Sequence, residues 1–283
     1  MKDVVRDILS SNGSGRFYVM GILNVTPDSF SDGGKYLSAE AAISQAARMI
    51  EDGADVIDIG AESTRPGSER VDADEQISRL KDILPIITEM KTVVSVDTTL
   101  SEVARFAIEH GADIINDISA GTDDTRMFPL LAAHRTPVIF MHMPAQPKVM
   151  QHQPHYDDVA GEVAIYLEGR LEAAVSAGLP PELCIIDPGI GFGKLPEHNL
   201  QLLRETNRLT ALGRPVLIGA SRKRFIGAIT GQKTPQERLG GTIAVCCETY
   251  RLGASIFRVH DVRPTIDALK ITAAIEGRNS SST

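Results

Sequence analysis

Arg258 and His260 stand two residues apart in "SIFRVH" (255–260), a short apolar run with the composition of a β-strand. Side chains alternate faces along a strand, so the two point the same way. Charged groups are rarely buried on a strand without a partner or a ligand. A cation pair on one face suits an anion such as phosphate. Arg222 and Lys223, in "GASRK" (219–223), lie one apolar run earlier. Set against these cations are Asp97, Asn116 and Asp187, at or near the ends of three further runs. Carboxylates and an amide suit a heterocycle rich in N–H donors, much as Asp and Glu accept from base amines.

These residues need elements to bring them together. Eight β-branched runs recur: "YVMGILN" (18–24), "DVIDIG" (55–60), "TVVSVD" (92–97), "DIINDI" (113–118), "PVIFMH" (137–142), "CIIDPG" (184–189), "PVLIGAS" (215–221) and "SIFRVH". Amphipathic stretches separate them, the pattern of βα units on a parallel sheet. In "SAEAAISQAARMIEDGA", Ser38 is the expected N-cap and Gly53 the expected stop. Similar endings recur in "EHGAD", "SAGLP" and "RLGAS". Eight such units in 283 residues predict a single-domain (β/α)8 TIM barrel over residues 16–276. A doubly wound sheet is the runner-up, but the Gly-rich first turn of a dinucleotide fold is missing. Residues 1–15 are expected to be an N-terminal extension and 277–283 a disordered tail.

In such a barrel the chemistry gathers where the strands end. Those positions are Asn24, Glu62 to Arg65, Asp97, Asn116 with Asp117, His142, Asp187, Ser221 to Lys223, and Arg258 with His260. Any one of them alone reads as a helix cap. All eight together, on one rim, read as a site. Arg65 could complete a positive rim opposite Lys223 and Arg258.

Composition narrows the partners. A net charge of −8 and a pI near 5.4 argue against non-specific nucleic-acid binding, which needs a basic face. No apolar run approaches the roughly 20 residues of a membrane helix, and "MKDVVRDILSSNG" lacks the apolar core of a secretory signal. The 3 cysteines form no disulfide framework, so a reducing cytoplasm is the expected location. Cys184, Cys246 and Cys247 read as core.

Several apparent motifs fail. "GIGFGKL" (189–195) is one residue short of a Walker A loop and has Leu195 where Ser or Thr would bind magnesium. "GASRK" lacks the second glycine of a nucleophile elbow. His152 and His155 have no third ligand nearby in sequence, which argues against zinc.

The segment after the first strand, "NVTPDSFSDGG" (24–34), crowds turn-formers around one aromatic, Phe30. Together with "DIGAESTRPG", "SVDTT", "IINDI", "MHM", "DPGIGFGK", "GASRK" and "RVHDV", in this order from about Val19 to Ala274, it resembles the dihydropteroate synthases. The resemblance implies condensation of a hydroxymethyl-dihydropterin diphosphate with 4-aminobenzoate, assisted by Mg2+, in folate biosynthesis. It implies that Asp97, Asn116, Asp187 and Lys223 form the pterin pocket and that Asn24 is the magnesium ligand. Thr64, Arg258 and His260 would contact the diphosphate-bearing substrate, with Ser221 a further ligand contact or a helix cap. Asp32 and Arg65 would lie in two loops that close over the site. Asp32, Arg65, Lys223, Arg258 and His260 are the candidate catalytic residues. Phe30 either packs its loop on the rim or covers the 4-aminobenzoate pocket.

The family also implies a homodimer through late helices and sensitivity to sulfonamides. Ala61 stands where the family commonly has glycine, and Thr99 at a variable position. The length leads us to expect no fused pterin kinase. Two other readings compete. One is the methyltetrahydrofolate-binding domain of a corrinoid methyltransferase, which has no use for a diphosphate clamp. The other is a non-catalytic pterin-binding protein, which would tolerate loss of Asn24 or Lys223.

Overall fold

The repeated Gly-Ala endings act through the backbone. Gly53, Gly111, Gly178 and Gly253 have φ of +96°, +91°, +92° and +99°, the left-handed region where a Cβ is penalised. The following N–H then reaches back to close each helix: Ala54 to Met49, Ala112 to Ala107, Leu179 to Ala174 and Ala254 to Thr249, at 2.9 to 3.0 Å. Three of these junctions turn the chain straight into a strand, and after Gly178 a single 3-10 turn (Pro181–Leu183) comes before β6.

The computed structural model describes residues 1–26, 34–62, 70–144 and 154–278. The strands are β1 (Tyr18–Asn24), β2 (Val56–Gly60), β3 (Val93–Asp97), β4 (Ile114–Asp117), β5 (Val138–Met141), β6 (Cys184–Asp187), β7 (Leu217–Ile218) and β8 (Ile256–Val259). All pair in parallel in the order β6-β5-β4-β3-β2-β1-β8-β7. A bridge between Ile186 and Val216 closes the ring. The fold is the (β/α)8 barrel expected from the strand count. β7 is shorter than the expected 215–221, because Pro215 has no N–H for the ladder and Gly219 no side chain to pack.

The helices are α1 (Asp3–Leu9), α2 (Gly34–Glu51), α3 (Ala73–Leu80), α4 (Leu84–Thr88), α5 (Ser101–Glu109), α6 (Met127–His134), α7 (Val159–Ser176), α8 (Pro196–Arg204), α9 (Thr206–Thr210), α10 (Arg224–Thr230), α11 (Leu239–Arg251) and α12 (Val262–Ile275). α2 starts at Gly34, so Ser38 lies inside it and is not its cap. Among the described residues no helix is long and apolar enough to cross a membrane. Cys184 and Cys246 are core as expected, whereas Cys247 is only half-buried.

Alternation sorts each strand into two faces. Outward residues such as Ile57, Ile59, Val94, Val96, Phe140 and Phe257 pack under the helices. Inward residues form layers. One is wholly apolar: Met20, Val56, Val93, Ile114, Ile139, Ile185, Leu217 and Ile256, with Tyr18 packed beside it at the start of β1. Two residues further along each strand, the inward positions are Ile22, Asp58, Ser95, Asn116, Met141, Asp187, Gly219 and Arg258. Hydrogen bonds from Asn116 and Arg258 to Asp58 cross the barrel at this depth.

Residues 1–15 are not the loose end expected. α1 closes the bottom of the barrel, with Val5 and Ile8 buried against the apolar layer. Burying two such side chains contributes about 1.5–3 kcal/mol each. Ser11 Oγ bonds Ser255 Oγ at 2.7 Å, and Lys2 Nζ bonds Asp113 at 2.7 Å, tying the segment to two strands' starts. At the other terminus, Gly277 and Arg278 are ordered, with Arg278 packed over the Tyr250 ring.

Candidate active site

The mouth of the barrel is built on a charged network. Arg258 Nε donates to Asp58 Oδ2 at 2.6 Å and its Nη2 to Asp97 Oδ2 at 3.0 Å. Asn116 Nδ2 donates to the same Asp58 oxygen at 3.1 Å. Asp58 is fully buried, while Asp97 keeps 7% exposure. Burial raises the Asp97 carboxyl above its ordinary value, and Arg258 opposes the rise. Asp58 was missed in sequence because it lies mid-strand. Its signal was an acid inside "DVIDIG", two residues below the strand end and therefore inward-facing.

Asp187 stands across the mouth. Its Oδ1 accepts from Gly189 N at 2.7 Å. Gly219, opposite, has no side chain; a Cβ there would lie 3.7 Å from Asp187 Oδ2, so glycine keeps space beside that oxygen. The segment after Asp187 carries Phe192, whose ring lies 3.9 Å below Lys223 Nζ. Burial lowers the Lys223 ammonium to about 8, with Asp187 opposing. The site thus pairs a carboxylate and amide floor with an aromatic and ammonium wall.

The expected cation pair at the strand end is corrected in two respects. Arg258 is inward as expected, but Asp58 and Asp97 hold it, so its charge is not free for an anion. His260 is neutral: burial, with Arg222 and Arg258 nearby, lowers its imidazole to about 4. Ser221 Oγ accepts from His260 N–H at 3.2 Å and lies 3.0 Å from His260 Nδ1. Either the Ser221 hydroxyl donates to Nδ1 or Nδ1–H donates to it, according to the His260 tautomer; the first leaves Nε2–H as a neutral donor toward the mouth. Ser221 is thereby a partner of His260. Arg222, in left-handed backbone (φ +58°), pairs with Asp261 at 2.6 and 3.0 Å and ties the last two loops together.

Other strand-end residues shape the rim. Glu62 accepts from Val71 N and Gln76 Nε2, both at 3.1 Å, anchoring the start of α3. Asp117 takes three bonds from Ser119 and Gly121 and closes its own turn. His142 and Lys194 are buried behind the Asp187 loop; Lys194 was set aside in sequence along with the failed phosphate loop. Phe30, Asp32, Thr64, Arg65 and His152 lie outside the described residues.

Asn24 ends β1 at the mouth, beside Gly60, where a Cβ would come within 3.4 Å of Asn24 Oδ1. An amide oxygen is a donor suited to magnesium, which keeps several waters and takes few protein ligands when substrate phosphates share it. Among the described residues no three His, Cys, Asp or Glu side chains gather as a metal cage. Asn24 therefore fits an ion shared with a bound diphosphate.

Known proteins place this geometry. The model of the family described as "Pterin binding enzyme" matches residues 20–260. The dihydropteroate synthase of Synechocystis is 46% identical over 92% of this chain and 90% of its own. The Xanthomonas albilineans dihydropteroate synthase, solved with 4-aminobenzoic acid, superposes with a TM-score of 0.88 at 44% identity, covering 93% of this chain and 94% of that one. The Yersinia pestis enzyme, solved with a sulfonamide drug complex, gives 0.87 at 40% identity, covering 93% and 95%. The chain belongs to the dihydropteroate synthase family of pterin-binding enzymes.

Proposed function

We propose that the chain condenses (7,8-dihydropterin-6-yl)methyl diphosphate with 4-aminobenzoate, giving 7,8-dihydropteroate and diphosphate. The observation that carries the reading is the convergence of Asp97, Asn116 and Asp187 at one mouth, each fixed by a neighbour. These acceptors and the amide match the amino and N–H groups of a pterin edge. The 4-aminobenzoic acid bound to the Xanthomonas relative supports the second substrate.

The C–O bond between the methylene and the diphosphate breaks, and its electron pair leaves on oxygen. The resulting cation is spread over the electron-rich pterin. The amine of 4-aminobenzoate then gives its lone pair to the methylene carbon, forming C–N and losing a proton to solvent. No nucleophilic side chain takes part. Arg258 opposes the rise that burial imposes on the Asp97 carboxyl and holds it in place as an acceptor. His260 offers Nε2–H to the departing diphosphate. Lys223 supplies positive charge above Phe192, and Arg65 supplies more from its loop. Asn24 would help to hold magnesium, which when bound would offset the charge that builds on the leaving group. Thr64 keeps the contact with the diphosphate-bearing substrate that the family implies, and Asp32 and Phe30 the closing and covering roles, excluding water from the cation.

The same reading places the chain in the cytoplasm as a homodimer, with sulfonamides competing for the 4-aminobenzoate pocket. The purified protein, given the pterin diphosphate, 4-aminobenzoate and Mg2+, should release both dihydropteroate and diphosphate. A sulfonamide should raise the apparent KM for 4-aminobenzoate alone. Absence of both products would sink the reading.

A further inference from the structure

Lys194 is a buried cation (5% exposed), and among the described residues no carboxylate lies within ion-pair distance of its Nζ. Its partners are backbone and imidazole: His142 Nδ1 at 2.9 Å, Gly189 O at 3.0 Å, Phe192 O at 3.0 Å and His142 O at 3.4 Å. Burial lowers the Lys194 ammonium to about 7, with Asp187 opposing; in the charged form its three N–H donors meet the two near carbonyls and Nδ1, all of which accept. Nδ1 of His142 must then be a bare acceptor, with the ring proton on Nε2. Burial and the nearby ammonium hold that imidazole neutral, down to about 3.

The backbone is shaped around this group. Gly189, Gly191 and Gly193 have φ of +69°, +82° and +55°. A Cβ on Gly189 would sit 2.0 Å from His142 O, so the turn crosses the end of β5 where only glycine passes. Asn199 clamps the turn from outside, accepting from Gly191 N at 2.6 Å and donating to Leu195 O at 2.8 Å. Tyr156 OH donates to Gly193 O at 3.2 Å, and the Tyr166 ring meets His142 edge-on at 4.8 Å. Asp187 opens this turn and Phe192 lies within it. Both face the pocket, and both depend on where the turn sits.

We propose that Lys194 is a positioning residue: its ammonium acts as a built-in cation that draws in the carbonyls of the 187–194 turn and locks His142 in the Nε2–H tautomer, so that Asp187 and Phe192 are held for the pterin and 4-aminobenzoate. This rests on the pocket reading above. A tethered ammonium does here what a bound ion does elsewhere, with no entropy of capture. Its desolvation is offset by the ring of acceptors. The lysine of "GIGFGK" serves its own loop and not a phosphate.

Two measurements test it. Long-range 15N–1H spectra of the wild-type protein at pH 6, where Lys194 is charged, should show His142 protonated on Nε2 only; a proton on Nδ1 overturns the proposal whether or not any variant folds. Calorimetric titration with pterin-6-carboxylate should then compare Lys194→Met with Ile8→Ala, a destabilising change at the far end of the barrel. Lys194→Met should bind at least about tenfold more weakly, the worth of one charged hydrogen bond, while Ile8→Ala binds as wild type. Affinity for Lys194→Met within twofold of wild type overturns the role. Wild-type protein that binds no pterin overturns the pocket reading instead, and leaves the tautomer result to judge the turn.

Discussion

Two residues of strand separate the driest depth of this barrel from its most polar. At the lower depth every inward side chain is apolar, and α1 adds Val5 and Ile8 as a plug. One layer up stand Asp58, Ser95, Asn116, Asp187 and Arg258, all buried but Arg258, which is partly exposed. The strands are staggered, so that Met20 pairs with Arg258 and Asn116 with Ile139, yet along each strand the inward face changes character over two residues. The lesson is a division of labour by depth. The lower layer supplies hydrophobic stability. The upper layer costs stability, because buried ions lose hydration that their partners only partly restore. Among the described residues Asp58 Oδ1 and Ser95 Oγ are buried with no hydrogen-bond partner, which is part of that cost.

The sharpest way to break the division is at Arg258. Arg258→Ala frees two carboxylates at the floor of the mouth. Turnover should fall by about a thousandfold, and stability by about 3–5 kcal/mol from the unpaired buried charge. The double variant Asp58→Asn/Arg258→Met should recover much of the stability in urea unfolding and none of the turnover. If activity returned with stability, the network would be structural only.

The lower layer should answer in the opposite sense. Ile8→Ala should cost about 2–4 kcal/mol through the cavity it leaves, with kcat and KM unchanged below the new melting temperature. A change in KM for either substrate would show that the two depths are coupled.

His260 gives the smallest effect. Its folded pKa is lowered to about 4. The stability linked to its neutral form is therefore full above its unfolded value, about 6.5, and is lost as pH falls through 4. His260→Asn should flatten the pH dependence of unfolding between pH 6.5 and 4, measured by denaturant titration. In wild type, the His260 ring protons should not titrate between pH 5.5 and 8.

How much of this could be read beforehand depends on how local each feature is. The eight strands and the Gly-Ala junctions follow from short-range pattern, and their ends fell within a few residues. Asp97, Asn116, Asp187 and Arg258 were found because strand ends in this fold share one rim. α1 was missed because a 7-residue helix without a side-chain cap has almost no signal of its own; it forms because the barrel floor accepts Val5 and Ile8. Charge was the least legible property. Nothing in "RVHDV" tells that Arg258 is held by Asp58, 200 positions earlier, or that Ser221 is hydrogen-bonded to His260. Lys194 was hidden by a false likeness to a phosphate loop, although its three neighbouring glycines were themselves the signal for a turn folded around something.

The division by depth is tested most directly on one strand. Asp187 and Ile185 are two residues apart on β6, both facing inward. Pterin affinity by titration calorimetry and stability by urea unfolding should be measured for Asp187→Asn and Ile185→Val side by side. Asp187→Asn should weaken pterin binding about thirtyfold, near 2 kcal/mol for a charged hydrogen bond, with little loss of stability. Ile185→Val should lose about 1 kcal/mol of stability and keep its affinity. Equal losses of affinity in the two variants, or a loss confined to Ile185→Val, would contradict the assignment of the pterin site to the upper layer.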